Sequence, residues 1–177
     1  LGTKVQQNPP IRDRAHQALL WWGLEQGVVD VLGSDHAPHT LVENAATYPA
    51  TPAGMPGVQT LVPIMLDHVN AGRLSLARFV DLTSAGAQRL FGITCKGRIA
   101  VGYDADFTVV DLKAERVIED AWVGSKAGWT PFAGRKVQGW PIGTVNRGHL
   151  AMWEGELGDA RGQPVRFAEG FPQSGAG

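Results

Sequence analysis

The sequence predicts an α/β fold: a parallel strand–helix–strand unit first, and a strand-rich segment last. Three observations predict it. Val28-Val29-Asp30-Val31-Leu32 is a short apolar run that stops abruptly at Gly33-Ser34-Asp35, as a strand buried on both faces does. Val58, Leu61, Val62, Met65, Leu66 and Val69 fall at offsets 0, 3, 4, 7, 8 and 11, which is one helical stripe. From Lys96 onward, short β-rich runs alternate with turn residues, the density of a small β-sandwich.

Taken in order, Thr3-Lys4-Val5-Gln6-Gln7 reads as the end of a strand, broken by Asn8-Pro9-Pro10 because proline donates no ladder bond. Asp13 is placed to cap a helix through Ala15, Leu19, Trp22 and Glu25, and Gly27 closes it. The strand Val28–Ser34 follows, completing a βα unit of a parallel sheet. Asn8 and Asp35 then end neighbouring strands and face one mouth. Leu41 to Gly57 has no clean period and reads as a long loop, a feature that is often functional. Gly54 there lets backbone approach a ligand closely, although composition alone favours a plain surface turn. Pro63 falls in the first turn of the helix carrying the apolar stripe, or kinks it, and Asn70-Ala71-Gly72 ends it. Ser75 caps the next helix, with Leu76, Phe79 and Val80 inward. Thr83 or Ser84 caps a further helix that ends at Gly92. Phe107–Asp111, Arg116–Ile118, Lys136–Trp140, Gly143–Arg147 and Leu150–Trp153 read as strands, with a turn at Gly148. His68 has no assigned role, and His149 is a turn residue. The tail from Gly170 is polar and Gly-rich.

Composition narrows the function classes. The 177 residues are near the size of one domain, 44% are apolar and the net charge is −1, so neither a nucleic-acid nor a membrane surface is indicated. No apolar run approaches the roughly 20 residues that span a bilayer. The single cysteine, Cys95, excludes an internal disulfide and fits a reducing, cytoplasmic compartment. No signal peptide is legible. A start at Leu1, directly in a strand-like segment, suggests a missing N-terminal portion.

Asp35-His36-Ala37-Pro38-His39-Thr40 carries the chemistry. In a parallel α/β barrel, polar residues at the carboxyl end of a strand point into the active-site mouth. A carboxylate there, beside histidines, suits binding a divalent metal or moving a proton from metal-bound water. An aspartate after a strand is also often only a cap or turn former, and from this stretch alone the two readings weigh equally.

The assembled segments resemble dihydroorotases of the bacterial, multifunctional-type class within the amidohydrolase superfamily. They are Lys4-Val5-Gln6-Gln7-Asn8-Pro9-Pro10-Ile11-Arg12, Gly33 to Thr40, Gly54-Met55-Pro56-Gly57-Val58-Gln59-Thr60-Leu61-Val62-Pro63 and Lys96 to Asp106. Thr130-Pro131-Phe132-Ala133-Gly134 and Gly139-Trp140-Pro141 are similar to the family's closing segments.

The resemblance implies the C-terminal part of a TIM-like (β/α)8 metal-dependent hydrolase barrel. Residues 1–94 would carry its last two strands and final helices, 95–170 part of a small β-sandwich, and 171–177 a flexible tail. By motif, Asp35 matches the acid that touches the metal and shuttles the proton. Asn8 and His39 match substrate-binding positions, and Ala53 and Gly54 the backbone that meets the pyrimidine ring. His36 matches no ligand and is expected to make a structural hydrogen bond. Gln6 and Gln7 depart from the family pattern at what is expected to be no functional position.

The implied activity is the metal-dependent, reversible cyclisation of N-carbamoyl-L-aspartate to (S)-dihydroorotate in pyrimidine (UMP) biosynthesis. Its cofactor would be zinc, one or two ions, with most ligands upstream of Leu1. The implied partners are a small-molecule substrate, and a homodimer or an aspartate carbamoyltransferase. An allantoinase or hydantoinase activity is the runner-up. A catalytically silent scaffold for a carbamoyltransferase is the reading from another class.

Overall fold

The computed structural model describes residues 2–159 and 162–168. The tail expected from Gly170 lies outside them. Helices fill the first half and one antiparallel sheet the second. Helix α1 spans Gln17–Glu25, α2 Leu41–Asn44, α3 Leu61–Asn70, α4 Leu76–Val80 and α5 Gly86–Phe91. Strands β1 Phe107–Val117, β2 Lys136–Asn146, β3 His149–Trp153 and β4 Glu156–Leu157 pair in sequence order.

The two strands expected in the N-terminal half do not ladder. Gly2–Val5 is a 3-10 turn, and 28–34 carries no strand pairing; it is tied to helices instead, the Val28 and Val29 N–H groups donating to the Gly23 carbonyl at 3.0 and 3.2 Å and the Leu32 N–H to the Leu82 carbonyl at 3.0 Å. A strand is defined by its neighbours, and among the described residues neither segment has a parallel partner. An isolated parallel bridge between His36 and Met55 is the remnant of such pairing. The apolar composition of 28–34 still does its packing work: Val29 and Leu32 lie on the core.

Helix α1 forms where expected, after a 3-10 turn at Arg14–His16, although Asp13 makes no side-chain cap bond. Its buried contacts come from Trp21 and Leu24, whereas Leu19 and Trp22 stand exposed. Within the expected long loop, Thr40 and Glu43 build a capping box that nucleates the short helix α2. Ser75 caps α4 as expected. Of the three residues expected inward, only Phe79 is buried, while Leu76 and Val80 are exposed. Neither Thr83 nor Ser84 starts a new helix. The chain continues from α4 through a π-helical turn at Asp81–Ala85 into α5, and the Thr83 hydroxyl donates back to the Phe79 carbonyl at 2.9 Å. Gly92, in the left-handed region, ends α5.

In the strand-rich half, expected to be part of a small β-sandwich, the described residues form one antiparallel sheet. Phe107–Asp111 and Arg116–Val117 are one strand, bent where Asp111 Oδ1 accepts the N–H groups of Lys113 and Ala114. Lys136–Trp140 and Gly143–Asn146 are likewise one strand. Pro141, which has no N–H to donate, sits beside a register shift between its partner Val110 and Val109, which pairs with Gly143. His149 opens β3 rather than lying in the turn, which is Arg147-Gly148. Both turn residues have positive φ, as do Glu154-Gly155 in the next hairpin, which suits the twist of two-residue hairpins.

Helix α3 joins the halves. Met65 and Leu66 pack with Leu74, Phe79 and Leu82 in one core, and Ile64 packs against a second core of Ile118, Val137 and Trp140. Gly139 makes the approach of β2 to α3: a Cβ there would lie 2.6 Å from that of Leu66, and its φ is 104°. Asn70 Nδ2 donates to the Leu112 and Gln138 carbonyls at 3.0 and 2.8 Å.

Candidate functional site

Two segments, 6–8 and 53–58, converge on the Asp35 loop at 34–40. The Ala37 N–H donates to the Met55 carbonyl at 3.1 Å, and the Gly54 N–H to the Gln6 carbonyl at 2.9 Å. Gln6 Nε2 donates in turn to the Thr51 carbonyl at 3.1 Å. Gly54 is required at this crossing. Its φ is 138°, and a Cβ would lie 2.4 Å from the Ala37 carbonyl oxygen. The close approach read from the sequence is therefore present, though the neighbour the backbone meets is Ala37.

Asp35 is exposed, at a left-handed corner with φ 45°, a conformation that Asp tolerates better than most residues. Gln7 Nε2 donates to its Oδ2. Gln7, expected to have no functional position, is thus the side chain that holds the candidate catalytic carboxylate. Residues 28 apart in the chain gave no sequence signal for this pairing. Asn8, next to Gln7, is exposed, and Ala53 is half-buried beside Gly54. The structure therefore brings segment 6–8, Asp35 and segment 53–54 together.

The two histidines differ. His36 Nδ1 accepts the N–H groups of Gly57 and Val58 at 3.0 and 3.3 Å. This is the structural bond expected of it, and a nitrogen so engaged is not a metal donor. His39 has its side chain 30% exposed, with Nδ1 4.0 Å from Glu43 Oε1. The Thr40 backbone N–H and then its hydroxyl, with a smaller contribution from His39, hold the Glu43 carboxyl below the usual carboxylate range. The His39 carbonyl is fixed from the other side: it accepts Trp129 Nε1 at 2.7 Å and Asn44 Nδ2 at 3.2 Å.

A cleft of about 290 Å³ lies between 56–60 and 123–130, with His36 at its edge. Asp35 does not line it. Gln59 spans it, Nε2 donating to the Trp122 carbonyl at 2.7 Å and Oε1 accepting the Gly124 N–H at 2.8 Å. Among the described residues no three His, Cys, Asp or Glu side chains converge as a metal site. Asp35 offers one carboxylate, against the three protein ligands a catalytic zinc takes. No helix among the described residues is long and apolar enough to cross a membrane.

Residues 12–151 match the amidohydrolase family. A dihydroorotase of Pyrococcus furiosus is 41% identical over 158 residues, 89% of this chain and 36% of that protein. One of Halobacterium salinarum is 40% identical over 156 residues, 88% of this chain and 36% of that protein. One of Methanosarcina mazei is 39% identical over 172 residues, 96% and 37% respectively. The chain spans little more than a third of the length of these relatives. Among solved structures, a D-hydantoinase superposes with a TM-score of 0.83 at 34% identity, over 88% of this chain and 35% of that one. An L-hydantoinase from Arthrobacter aurescens gives 0.83 and 34%, over 88% and 36%. The fold class is that of part of the α/β amidohydrolase barrel with a small antiparallel sheet. On the family match, the relatives and the shared fold together, this chain belongs to the amidohydrolase family.

Proposed function

We propose that the chain is the C-terminal part of a dihydroorotase, which interconverts N-carbamoyl-L-aspartate and (S)-dihydroorotate in pyrimidine biosynthesis. The observation that carries the reading is Asp35, an exposed carboxylate gathered with the Asn8 and Gly54 segments at one corner. Dihydroorotase relatives at 39–41% identity support it over the hydantoinase alternative.

In the hydrolytic direction, water adds to the ring carbonyl and the ring C–N bond breaks. Asp35 accepts the proton that water loses and delivers it to the departing nitrogen. His39 and Asn8 hold the substrate carboxylate and ring edge, and the backbone of Ala53 and Gly54 lies against the pyrimidine ring, so that the reacting atoms are oriented. A metal cofactor goes with the family. The described residues do not complete its site; zinc, one or two ions, is the metal we assign, with Asp35 the one ligand from this chain.

Residues 1–94 belong in this reading to the barrel and 95–170 to the β domain. The left-handed residues Gly92 and Cys95 lie at the seam. The assembly is a homodimer or a complex with aspartate carbamoyltransferase, and the lone cysteine suits the cytoplasm.

The test is a substrate panel on an enzyme of the relatives' length, with dihydroorotate, hydantoin and allantoin. Dihydroorotate is expected to turn over best. Asp35→Asn should keep the circular-dichroism spectrum and lower turnover by about 10²–10⁴-fold. A preference for hydantoin or allantoin would replace the substrate assignment, and near-normal turnover in Asp35→Asn would remove the role of Asp35. Absence of turnover together with carbamoyltransferase binding would favour the scaffold reading.

A further inference from the structure

We propose that Trp129 is a positioning residue for His39. Its indole N–H holds the His39 backbone carbonyl, and so fixes where the imidazole meets the substrate. The inference rests on the dihydroorotase reading, in which His39 touches the substrate carboxylate.

Trp129 is 2% exposed, and a buried indole N–H needs an acceptor. It has one 90 residues away in the chain, the His39 carbonyl at 2.7 Å. Asn44, 3% exposed, donates to the same oxygen at 3.2 Å and to the Thr40 carbonyl at 3.1 Å. A carbonyl oxygen has two lone pairs, so two buried side chains occupy both acceptor positions of His39.

The flanking chain is fixed as well. Pro38 restricts φ on one side, and the Thr40–Glu43 capping box sets the other. The imidazole is left with only its side-chain torsions to choose.

Trp129 is itself anchored. The Gly128 N–H donates to the Ser125 carbonyl at 3.0 Å, and the Thr130 N–H to Asp120 Oδ1 at 2.8 Å. A segment remote in sequence thereby dictates the geometry of a loop residue that the family places on substrate.

The test is Trp129→Phe in an enzyme of the relatives' length. Phenylalanine fills most of the same space and keeps a ring face for the Lys4 ammonium, which lies 5.8 Å from the indole centroid. The N–H is lost, along with the indole volume that a phenyl ring does not fill. KM for dihydroorotate should rise about three- to tenfold with kcat within about twofold, the size of one lost hydrogen bond acting on binding. The effect should vanish in a His39→Ala background, because both changes act through one imidazole.

A purely structural role predicts a lowered melting temperature with KM unmoved. That result, or an additive effect in the double variant, overturns the inference while leaving the dihydroorotase reading standing. Absence of turnover in the unsubstituted enzyme fails the dihydroorotase reading, and the inference falls with it.

Discussion

His36 commits its Nδ1 to the N–H groups of Gly57 and Val58, while His39, three residues on, keeps its side chain 30% exposed beside Glu43. The division sets the expected behaviour of His39→Ala. On the proposed dihydroorotase reading, KM for dihydroorotate should rise about tenfold or more in an enzyme of the relatives' length, the range for a lost hydrogen bond to a charged group. Bound metal should be unchanged, since His39 is not a matched ligand. Kinetics set beside atomic absorption decide the point, and metal loss would reassign His39. Asp35 and the two histidines were legible as a candidate site because an acid after an apolar run is a local pattern. Gln7 was not, because its tie to Asp35 bridges 28 residues and leaves no spacing to read.

At the scale of elements, the joint between α3 and β2 has a charged clasp. Asp67 Oδ2 accepts from Arg135 at 3.0 Å and its Oδ1 accepts the Gln138 N–H at 3.1 Å. Burial pushes the Asp67 carboxyl up, but the Gln138 N–H and the Arg135 guanidinium outweigh it and hold the group below its ordinary 3.8. A carboxyl lowered by folding stabilises fully above its unfolded value and loses that effect as pH falls through the folded one. Asp67→Asn should therefore lower the melting temperature at neutral pH, and the gap should close as the pH falls below the ordinary 3.8 into acid. Melts across that range read it, and a gap that persists in acid would assign the loss to packing. Helix α3 was legible from its apolar stripe. The π-helical turn after α4 was not, because Thr83 has the composition of a cap, whereas its hydroxyl bonds back to the Phe79 and Val80 carbonyls of the preceding turn.

At the scale of the molecule, the site stands open. Asp35 is exposed at its corner, and no three metal-capable side chains converge among the described residues. Leu19, Leu20 and Trp22 on α1 are 68%, 62% and 54% exposed, an apolar face that the described chain leaves uncovered. The 177 residues by themselves should bind no zinc tightly and hydrolyse no dihydroorotate. Zinc titration by calorimetry and a hydrolysis assay on this chain test it. Stoichiometric sub-micromolar binding, or hydrolysis abolished by Asp35→Asn, would mean that these residues suffice for the site.

The sequence by itself determined what short-range patterns encode: α3 with its apolar stripe, the Ser75 cap, the Gly92 stop, the turn-punctuated sheet and the acid–histidine loop. Each depends on residues within one or two turns of chain, where spacing and backbone preference act directly. Tertiary structure decided what depends on neighbours remote in sequence. Val28–Ser34 has strand composition but no ladder among the described residues, since a strand's hydrogen bonds belong to its partner. Two apparent pairs of strands became single bulged ones because the register of β1 on β2 runs through Asp111 and Pro141. The backbone of His39 is set by an indole 90 residues away, a contact that only the folded chain creates.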